Sequence, residues 1–516
     1  MDQIKNSITI RGSFCIQEVP KPNGIVIFGA SGDLTERKLI PSLFNLFRKN
    51  LLPQCFYVLG CARSSFDDES FREKMSSALK KDKSIPANII KEFLERIFYT
   101  SGDYKDPNLY TTLRTRLKIL DEKFVKEKNH VFYLATPPNV YKPIIEHLGS
   151  SALAKEQCES AGNVEVVIEK PYGRDLESAM DLDRALYRVF SENQIYRIDH
   201  YLGKETVQNI LLFRFANSIF EPIWSREYID NIQITVAETL GVEHRSGYFE
   251  QAGLLRDMFQ NHMLQMLSLV TMEPPCSFNA DRVRDEKVKL LRSIRTFPID
   301  DSSDPIIRGQ YSSGIVQGEK VPGYTQEEGV EEDSIRETFI AVKLHVDNWR
   351  WQGVPIYLRA GKRLARKASK IVVKFKSVPH SMFQPLTPED LTQNVLIFHV
   401  QPEEGIALRI QAKHPGPKLC MDSLEMKFHY KEVIKEELPD AYERLLLDCM
   451  LGDQTLFIRH DDMHISWSLI TPVLKAWEED REFKRTGPLH DYEAGSWGPA
   501  ISEELLERDG KEWIPF

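Results

Sequence analysis

Apolar positions follow one rhythm in the first part of the chain and another in the rest. From residue 24 to about 199, short runs rich in β-branched and aromatic residues, at 25–28, 56–59, 131–134, 164–168 and 195–198, alternate with stretches whose apolar residues recur at i, i+3, i+4 and i+7. Ile40, Leu43, Phe44 and Phe47 form one such stripe, and Ile90, Phe93, Leu94 and Ile97 another. Strands separated by amphipathic helices predict a parallel sheet wrapped by helices. Pro41 lies inside the first stripe, so it either kinks that helix or marks its true first turn.

After about residue 230 a period of two takes over. Ile232, Ile234 and Val236 share one face of 231–238, and Ile406, Leu408 and Ile410 share one face of 405–412. Runs at 338–346, 354–359, 371–375 and 395–400 add more half-buried strands, so a large, mostly antiparallel sheet is expected. Helices at 253–270 and 441–451, the latter with Tyr442, Leu445, Leu446 and Cys449 in one stripe, are expected to cover one face of it. The other face is a candidate interface between copies of the chain, because a broad sheet seldom leaves an apolar face in water. Residues 297–334, rich in Gly, Pro, Ser and acids, read as a surface excursion. With 516 residues to bury, two domains are expected, 1–200 and 201–516.

Chemistry enters at the ends of the predicted strands. The run 25–28 leads straight into GASGDLT, where Gly29 and Gly32 permit a tight turn and the following helix N-terminus offers free N–H groups to a pyrophosphate. An ordinary tight turn fits the same residues. The next strand ends in CARSS, with Arg63 where an NAD-specific crevice carries an acid, and a cation there suits a 2′-phosphate.

The densest polar cluster is RIDHYLGKE, residues 197–205, at the predicted domain joint. His200, Tyr201 and Lys204 together supply donors and positive charge for a phosphate dianion, helped by a helix starting near Lys204. Glu238 continues the phase of Ile232, Ile234 and Val236 and so is expected on a buried face, needing either sugar hydroxyls or an ion-pair partner. Asp257 and His262 lie five apart in LLRDMFQNHMLQML, roughly 140° around an α-helix, so they share a pocket only from its two flanks.

Composition narrows the partners. A net charge of −9 argues against a nucleic-acid surface, and no stretch reaches the apolar length of a membrane span. The amino terminus carries no secretory pattern, so a cytoplasmic location is expected. The seven cysteines (Cys15, Cys55, Cys61, Cys158, Cys276, Cys420 and Cys449) have no zinc spacing and no even-numbered framework, and read as small buried hydrophobes. No metal is expected.

GASGDLT, CARS, FYLATPP, EKPYGRD, RIDHYLGKE, GYFEQAGLLRDMFQNH, VPIYLRAGKRLARK and PDAYERLLLD together resemble the glucose-6-phosphate dehydrogenase family, in its bacterial form. The resemblance implies an α/β Rossmann dinucleotide-binding domain followed by an α+β domain with a large, mostly antiparallel sheet that forms homodimers or homotetramers. It also implies oxidation of glucose 6-phosphate at C1 to the 6-phosphogluconolactone with NADP, the first step of the oxidative pentose phosphate pathway. Carried over by motif, His262 is similar to the family's general base and Asp199 to its orienter. His200, Tyr201 and Lys204 would hold the phosphate; Lys170, Glu238, Asp257, Lys362 and Lys367 would serve the sugar or its charge. Gly29, Ala30, Ser31, Gly32, Asp33, Leu34, Arg63, Thr136, Pro137, Pro138 and Lys170 would hold NADP, and Pro171 is a candidate cis or strained proline. Free-sugar oxidoreductases share the crevice and a Lys-Pro pair, but the phosphate cluster decides against them. Thr35 departs from the family's usual alanine and is expected to loosen helix packing. The bacterial spacing from Lys362 to Lys367 and the ending YEAGSWGP argue against a second, structural NADP.

Overall fold

The computed structural model describes residues 18–80, 85–125, 129–154, 162–298, 306–415, 417, 420–433, 438–480 and 486–516. Cys15, Cys158 and the amino-terminal pattern lie outside the described residues. Six parallel strands, β1 (Asn23–Phe28), β2 (Phe56–Ala62), β3 (Ile97–Ser101), β4 (His130–Leu134), β5 (Val164–Ile168) and β6 (Ile195–Ile198), form the first sheet. They are buried almost throughout, as parallel strands flanked by helices must be. Ile97 opens β3 and does not complete the helical stripe, which ends at Leu94. Pro41 sits in the first turn of the helix Ile40–Arg48, where its missing N–H costs nothing.

The second sheet comprises β7 (Ile229–Ala237), β8 (Ile306–Ser312), β11 (Phe339–Leu344), β12 (Ile356–Gly361), β13 (Ala368–Phe375), β14 (Val395–Gln401), β15 (Gly405–Lys413), β16 (Met421–His429) and β18 (Leu489–Glu493). Its order is β16-β15-β14-β13-β7-β12-β11-β8-β18, antiparallel except at β7/β12 and β8/β18. The intervening β9 (Gly314–Val316) and β10 (Glu319–Val321) form a small hairpin. The expected surface excursion at 297–334 therefore contains β8, a mostly buried strand of the large sheet.

β7 is buried on both faces, not half-buried, because the carboxyl-terminal segment folds over the outer side. Gln233 receives the Ile514 N–H (2.9 Å) and donates to the Glu512 carbonyl (2.8 Å), while Ile514 packs with Val372, Val395, Ile397 and Ala407. That covers the middle of the outer face within one chain. At the edge, β16 stays exposed, with Leu424 and Met426 about half exposed.

The helix Ala441–Leu451 does not lie on the large sheet as expected. It packs against the helix Ile40–Arg48, held by Lys38–Asp440 (2.6 Å), Lys49–Glu443 (2.9 Å) and Asn45–Glu443 (2.8 Å). Directly afterwards β17 (Phe457–Ile458) pairs antiparallel with β6, giving the first sheet the order β17-β6-β5-β4-β1-β2-β3. The later part of the chain thus reaches back to the first sheet beside the ends of β5 and β6. Of the cysteines described, Cys61 and Cys449 are buried, but Cys55, Cys276 and Cys420 are exposed, so the buried-hydrophobe expectation fails for these three.

Candidate active site

The first strand-to-helix turn is built for close approach. Gly29 has φ +87°, and a Cβ there would stand 2.1 Å from the Ala135 carbonyl oxygen, so only glycine fits. The Gly29 and Ala30 N–H groups bond the Cys61 carbonyl, and the Gly32 N–H closes back on Gly29. Thr35, expected to loosen the packing, is buried and donates its hydroxyl to the Gly29 carbonyl (3.3 Å), which ties the turn to its helix. Ser31 and Ser64 share a hydroxyl hydrogen bond (3.0 Å), bringing the glycine turn beside the end of β2. Arg63, one residue earlier, is exposed. Asp33 and Leu34 begin the helix, and Thr136, Pro137 and Pro138 follow β4 against Gly29. A turn that excludes any Cβ, a helix N-terminus and an exposed arginine at the second strand's end fit a dinucleotide carrying a 2′-phosphate.

β6 ends in Asp199, and the chain turns through His200, Tyr201, Leu202 and Gly203 into the helix Glu205–Phe215, with Lys204 at its N-cap. Asp199 is 1% exposed and bonds His262 Nδ1 very closely; its same oxygen accepts the Tyr201 N–H (2.9 Å). Burial alone would raise the Asp199 carboxyl, but His262, His200 and the Tyr201 N–H hold it below the usual carboxylate range. An ionised carboxylate only accepts, so Nδ1 carries the proton and Nε2 is left as a base. Burial pushes His262 down, and Lys170 pushes the same way against the pull of Asp199.

His262 and Asp257 meet more closely than α-helical spacing allows. Residues Leu255–Met263 are a π-helix, and its i→i+5 bonding sets residues five apart nearly one above the other. The preceding helix breaks at Gly253 (φ +66°), where a Cβ would strike the Glu337 carboxylate. Lys170 Nζ consequently reaches both residues: His262 Nε2 at 2.8 Å, and the Asp257 carbonyl and carboxylate at 3.0 and 3.2 Å. Burial would raise Asp257, yet Lys170, Lys362 and Arg245 hold it well below its ordinary value. The Lys170–Pro171 peptide is cis.

The other members line the outer side of the same turn. The Tyr201 ring stacks on His262 (centroids 4.4 Å apart), and the His200 ring meets His262 edge-on at 4.6 Å. Lys204 Nζ lies over the Tyr201 ring (4.2 Å) and donates to Gln401, whose amide also reaches the Tyr201 and Ser369 hydroxyls. Burial and the nearby Lys367 push Lys204 down to about 8 against the pull of Glu404, while exposed Lys367 extends the positive field. Glu238 is half-buried, not turned into the core, and is held by Lys362 at 2.7 Å. His200 and Lys204 open into a cleft of about 1370 Å³ that also meets Leu34, Gln401 and Tyr442. Asp199, His200 and His262 bring potential ligand atoms within 4.8 Å of one another. Both His262 ring nitrogens already meet protein partners, Asp199 at Nδ1 and Lys170 at Nε2.

Residues 26–209 match the model of the glucose-6-phosphate dehydrogenase NAD binding domain, and residues 211–514 that of the glucose-6-phosphate dehydrogenase C-terminal domain. The chain belongs to the glucose-6-phosphate dehydrogenase family. Among curated relatives, the glucose-6-phosphate 1-dehydrogenase of Aggregatibacter actinomycetemcomitans is 45% identical over 95% of this chain and 96% of its own. That of Treponema pallidum is 45% identical over 95% of each. Among solved structures, a glucose-6-phosphate dehydrogenase in complex with its substrate glucose-6-phosphate superposes with a TM-score of 0.87. It is 38% identical and covers 97% of this chain and all of its own. The Mycobacterium avium enzyme gives 0.80 at 32% identity, with the same coverage.

Within this family member, three residues at the site escaped the sequence reading. Glu169 and Tyr442 stand inside motifs that carried the resemblance, EKPYGRD and PDAYERLLLD, so a buried carboxylate beside Lys170 was open to question from sequence. Gln401, at the end of a strand on the second sheet, gave no signal, since its partners in the turn, Lys204 and Tyr201, are 197 and 200 residues away.

Proposed function

We propose that this chain is a cytoplasmic NADP-dependent glucose-6-phosphate 1-dehydrogenase in which His262 is the general base. One observation carries the reading: a histidine whose Nδ1 is fixed by a buried carboxylate, and whose Nε2 meets only Lys170 among the described residues, packs directly against the rings of His200 and Tyr201, in the turn whose His200 and Lys204 line the cleft. His262 Nε2 takes the proton of the C1 hydroxyl, and ionised Asp199 stabilises the resulting imidazolium. Lys170 cedes its contact on Nε2 to that hydroxyl and stays anchored on Asp257. Tyr201 and Lys204 hold the 6-phosphate together with His200, and Glu238, Asp257 and Lys362 orient sugar hydroxyls, with Lys367 adding long-range attraction. NADP, when bound, supplies the hydride acceptor. The glycine turn and residues 136–138 receive its pyrophosphate side, and Arg63 its 2′-phosphate. Free cysteines among the described residues fit a reducing compartment.

Residues 1–200 hold the coenzyme and residues 201–516 hold the sugar and the contact between subunits. The family matches, which meet between residues 209 and 211, support a division in this stretch. The subunit contact runs along β16, a nine-residue edge strand exposed on both faces that needs a cover. Sedimentation should give at least twice the chain mass, and Leu424→Asp with Met426→Asp should halve it; a native monomer would exclude the contact.

Initial rates with glucose 6-phosphate test the chemistry directly. NADP should be preferred over NAD, and Arg63→Ala should reduce that preference about tenfold or more by removing one charge-assisted contact. An unchanged preference would remove Arg63 from coenzyme selection, and absence of turnover would end the reading.

A further inference from the structure

Next to Lys170 lies a buried carboxylate that the reaction does not use. Glu169 directly follows β5 and is almost fully buried. It accepts a hydrogen bond from the Tyr133 hydroxyl on β4 (2.5 Å), and the Tyr442 hydroxyl on the helix Ala441–Leu451 stands near enough to help hold its charge. Tyr141, from the helix Tyr141–Ser150, donates to the Glu169 backbone carbonyl (2.9 Å). The remaining charged or titratable neighbours are Lys170, Asp199 at the end of β6, and Tyr172. No arginine or lysine pairs with the carboxylate directly among the described residues, so two phenols bear most of its solvation.

Tyr442 connects this carboxylate to the phosphate side. Its ring lies parallel to the His200 ring (centroids 6.5 Å apart, 6° between planes) and lines the cleft. One residue earlier, the Ala441 carbonyl packs on Gly203 so closely that a Cβ on Gly203 would stand 2.6 Å from it. The start of this helix is therefore the surface against which the turn bearing His200 and Lys204 rests. Lys38 to Asp440 fastens it on the outside, and on the inside the Tyr442 hydroxyl is drawn toward Glu169.

We propose that Glu169 is a positioning residue for phosphate binding: ionised, it holds the Tyr133 hydroxyl and attracts the neighbouring Tyr442 hydroxyl, and so steadies the helix start that backs the His200–Lys204 turn. The inference rests on the function proposed above. A protonated carboxyl must place its own proton on one oxygen, where it competes with one of the two phenols, so protonation loosens the fastening. Burial raises the Glu169 carboxyl to about 7, with the two tyrosines, then Lys170, opposing that rise and Asp199 adding to it. The change of state thus falls within the working range of pH, and it bears on substrate affinity while the base, His262, is fastened separately by Asp199.

The test is the dissociation constant of glucose 6-phosphate, measured by calorimetry between pH 6 and 8.5. The sugar phosphate titrates near pH 6 in every case, so the comparison is between variants. In the native protein affinity should fall severalfold as pH drops through about 7. Glu169→Gln, which keeps the shape but cannot ionise, should bind as weakly at pH 8 as the native protein does at pH 6.5, and should lack that transition. Tyr133 lies on β4, fully buried and away from the cleft lining, so Tyr133→Phe supplies the sharper readout. Losing one donor to the ionised form should move the transition to higher pH by about half to one unit. Rescue of the native profile in Glu169→Asp is not expected, because the shorter side chain cannot span both phenols. A native transition that persists in Glu169→Gln, or fails to move in Tyr133→Phe, overturns the proposal. A native protein that binds no glucose 6-phosphate overturns the functional reading instead.

Discussion

The turn from Asp199 to Lys204 has a dry end and a wet end, and the two are built on opposite electrostatic plans. At the dry end Asp199 and His262 are each 1% exposed and bonded to one another, with Lys170 and Asp257 as the next pair out. Each negative charge here has one fixed partner, the His262 Nδ1–H for Asp199 and the Lys170 ammonium for Asp257, so each group has a fixed direction. At the wet end Lys204 donates to a neutral amide, Gln401, and lies near another lysine, Lys367; Glu404, then Asp199 and Asp440, pull the other way from a distance, and none of them forms an ion pair with it. Positive charge is left under-compensated where the cleft opens. The difference separates two tasks: a proton acceptor needs a partner that never leaves, whereas an anion that binds and departs needs a site whose charge is incomplete without it.

Breaking the dry end should have the larger effect. His262→Ala removes the base and leaves the ionised Asp199 buried, so turnover is expected to fall by about 10²–10⁴-fold while the Michaelis constant for glucose 6-phosphate changes little. Steady-state rates at saturating substrate, taken below the melting temperature of the variant, check this. A variant that keeps more than a tenth of native turnover would mean that proton removal does not run through His262.

The two ends also differ in how far the sequence revealed them. Parallel strands buried on both faces read as continuous apolar runs, and β5 and β6 emerge at their exact residues. Ile97 misled because it satisfies a helical stripe as well as a strand start. β17 is only two residues long, and β16, exposed on both faces, has no alternation to read. Asp257 and His262 looked like residues on two flanks because 100° per residue holds for an α-helix; the π-helical turn that unites them has no signature in residue type. The run RIDHYLGKE was legible as a cluster, but its division depended on partners more than sixty residues away. Asp199 belongs with His262, and Lys204 with Gln401, pairings made by the second sheet closing over the first.

The wet end should break more gently and in a different parameter. Lys204→Ala removes one charge-assisted contact, worth about 1.5–3 kcal/mol, so kcat/KM should fall by roughly 10- to 150-fold, mostly through KM. A pH series then sharpens the contrast. Lys204 in the free enzyme is pushed down to about 8, and kcat/KM reports groups of the free enzyme. Below pH 8 the ammonium is present and the phosphate is attracted; above it the charge is lost, so kcat/KM should decline through pH 8 to 9. The dry end supplies no such alkaline loss, because a neutral His262 is already the active form. Lys204→Arg keeps its charge throughout this range, and although its planar head fits the Gln401 contact less well, its kcat/KM should stay level where the native value declines. If the arginine variant declines in parallel with the native enzyme, the alkaline limb belongs to another group, and incomplete compensation at Lys204 is not what attracts the phosphate.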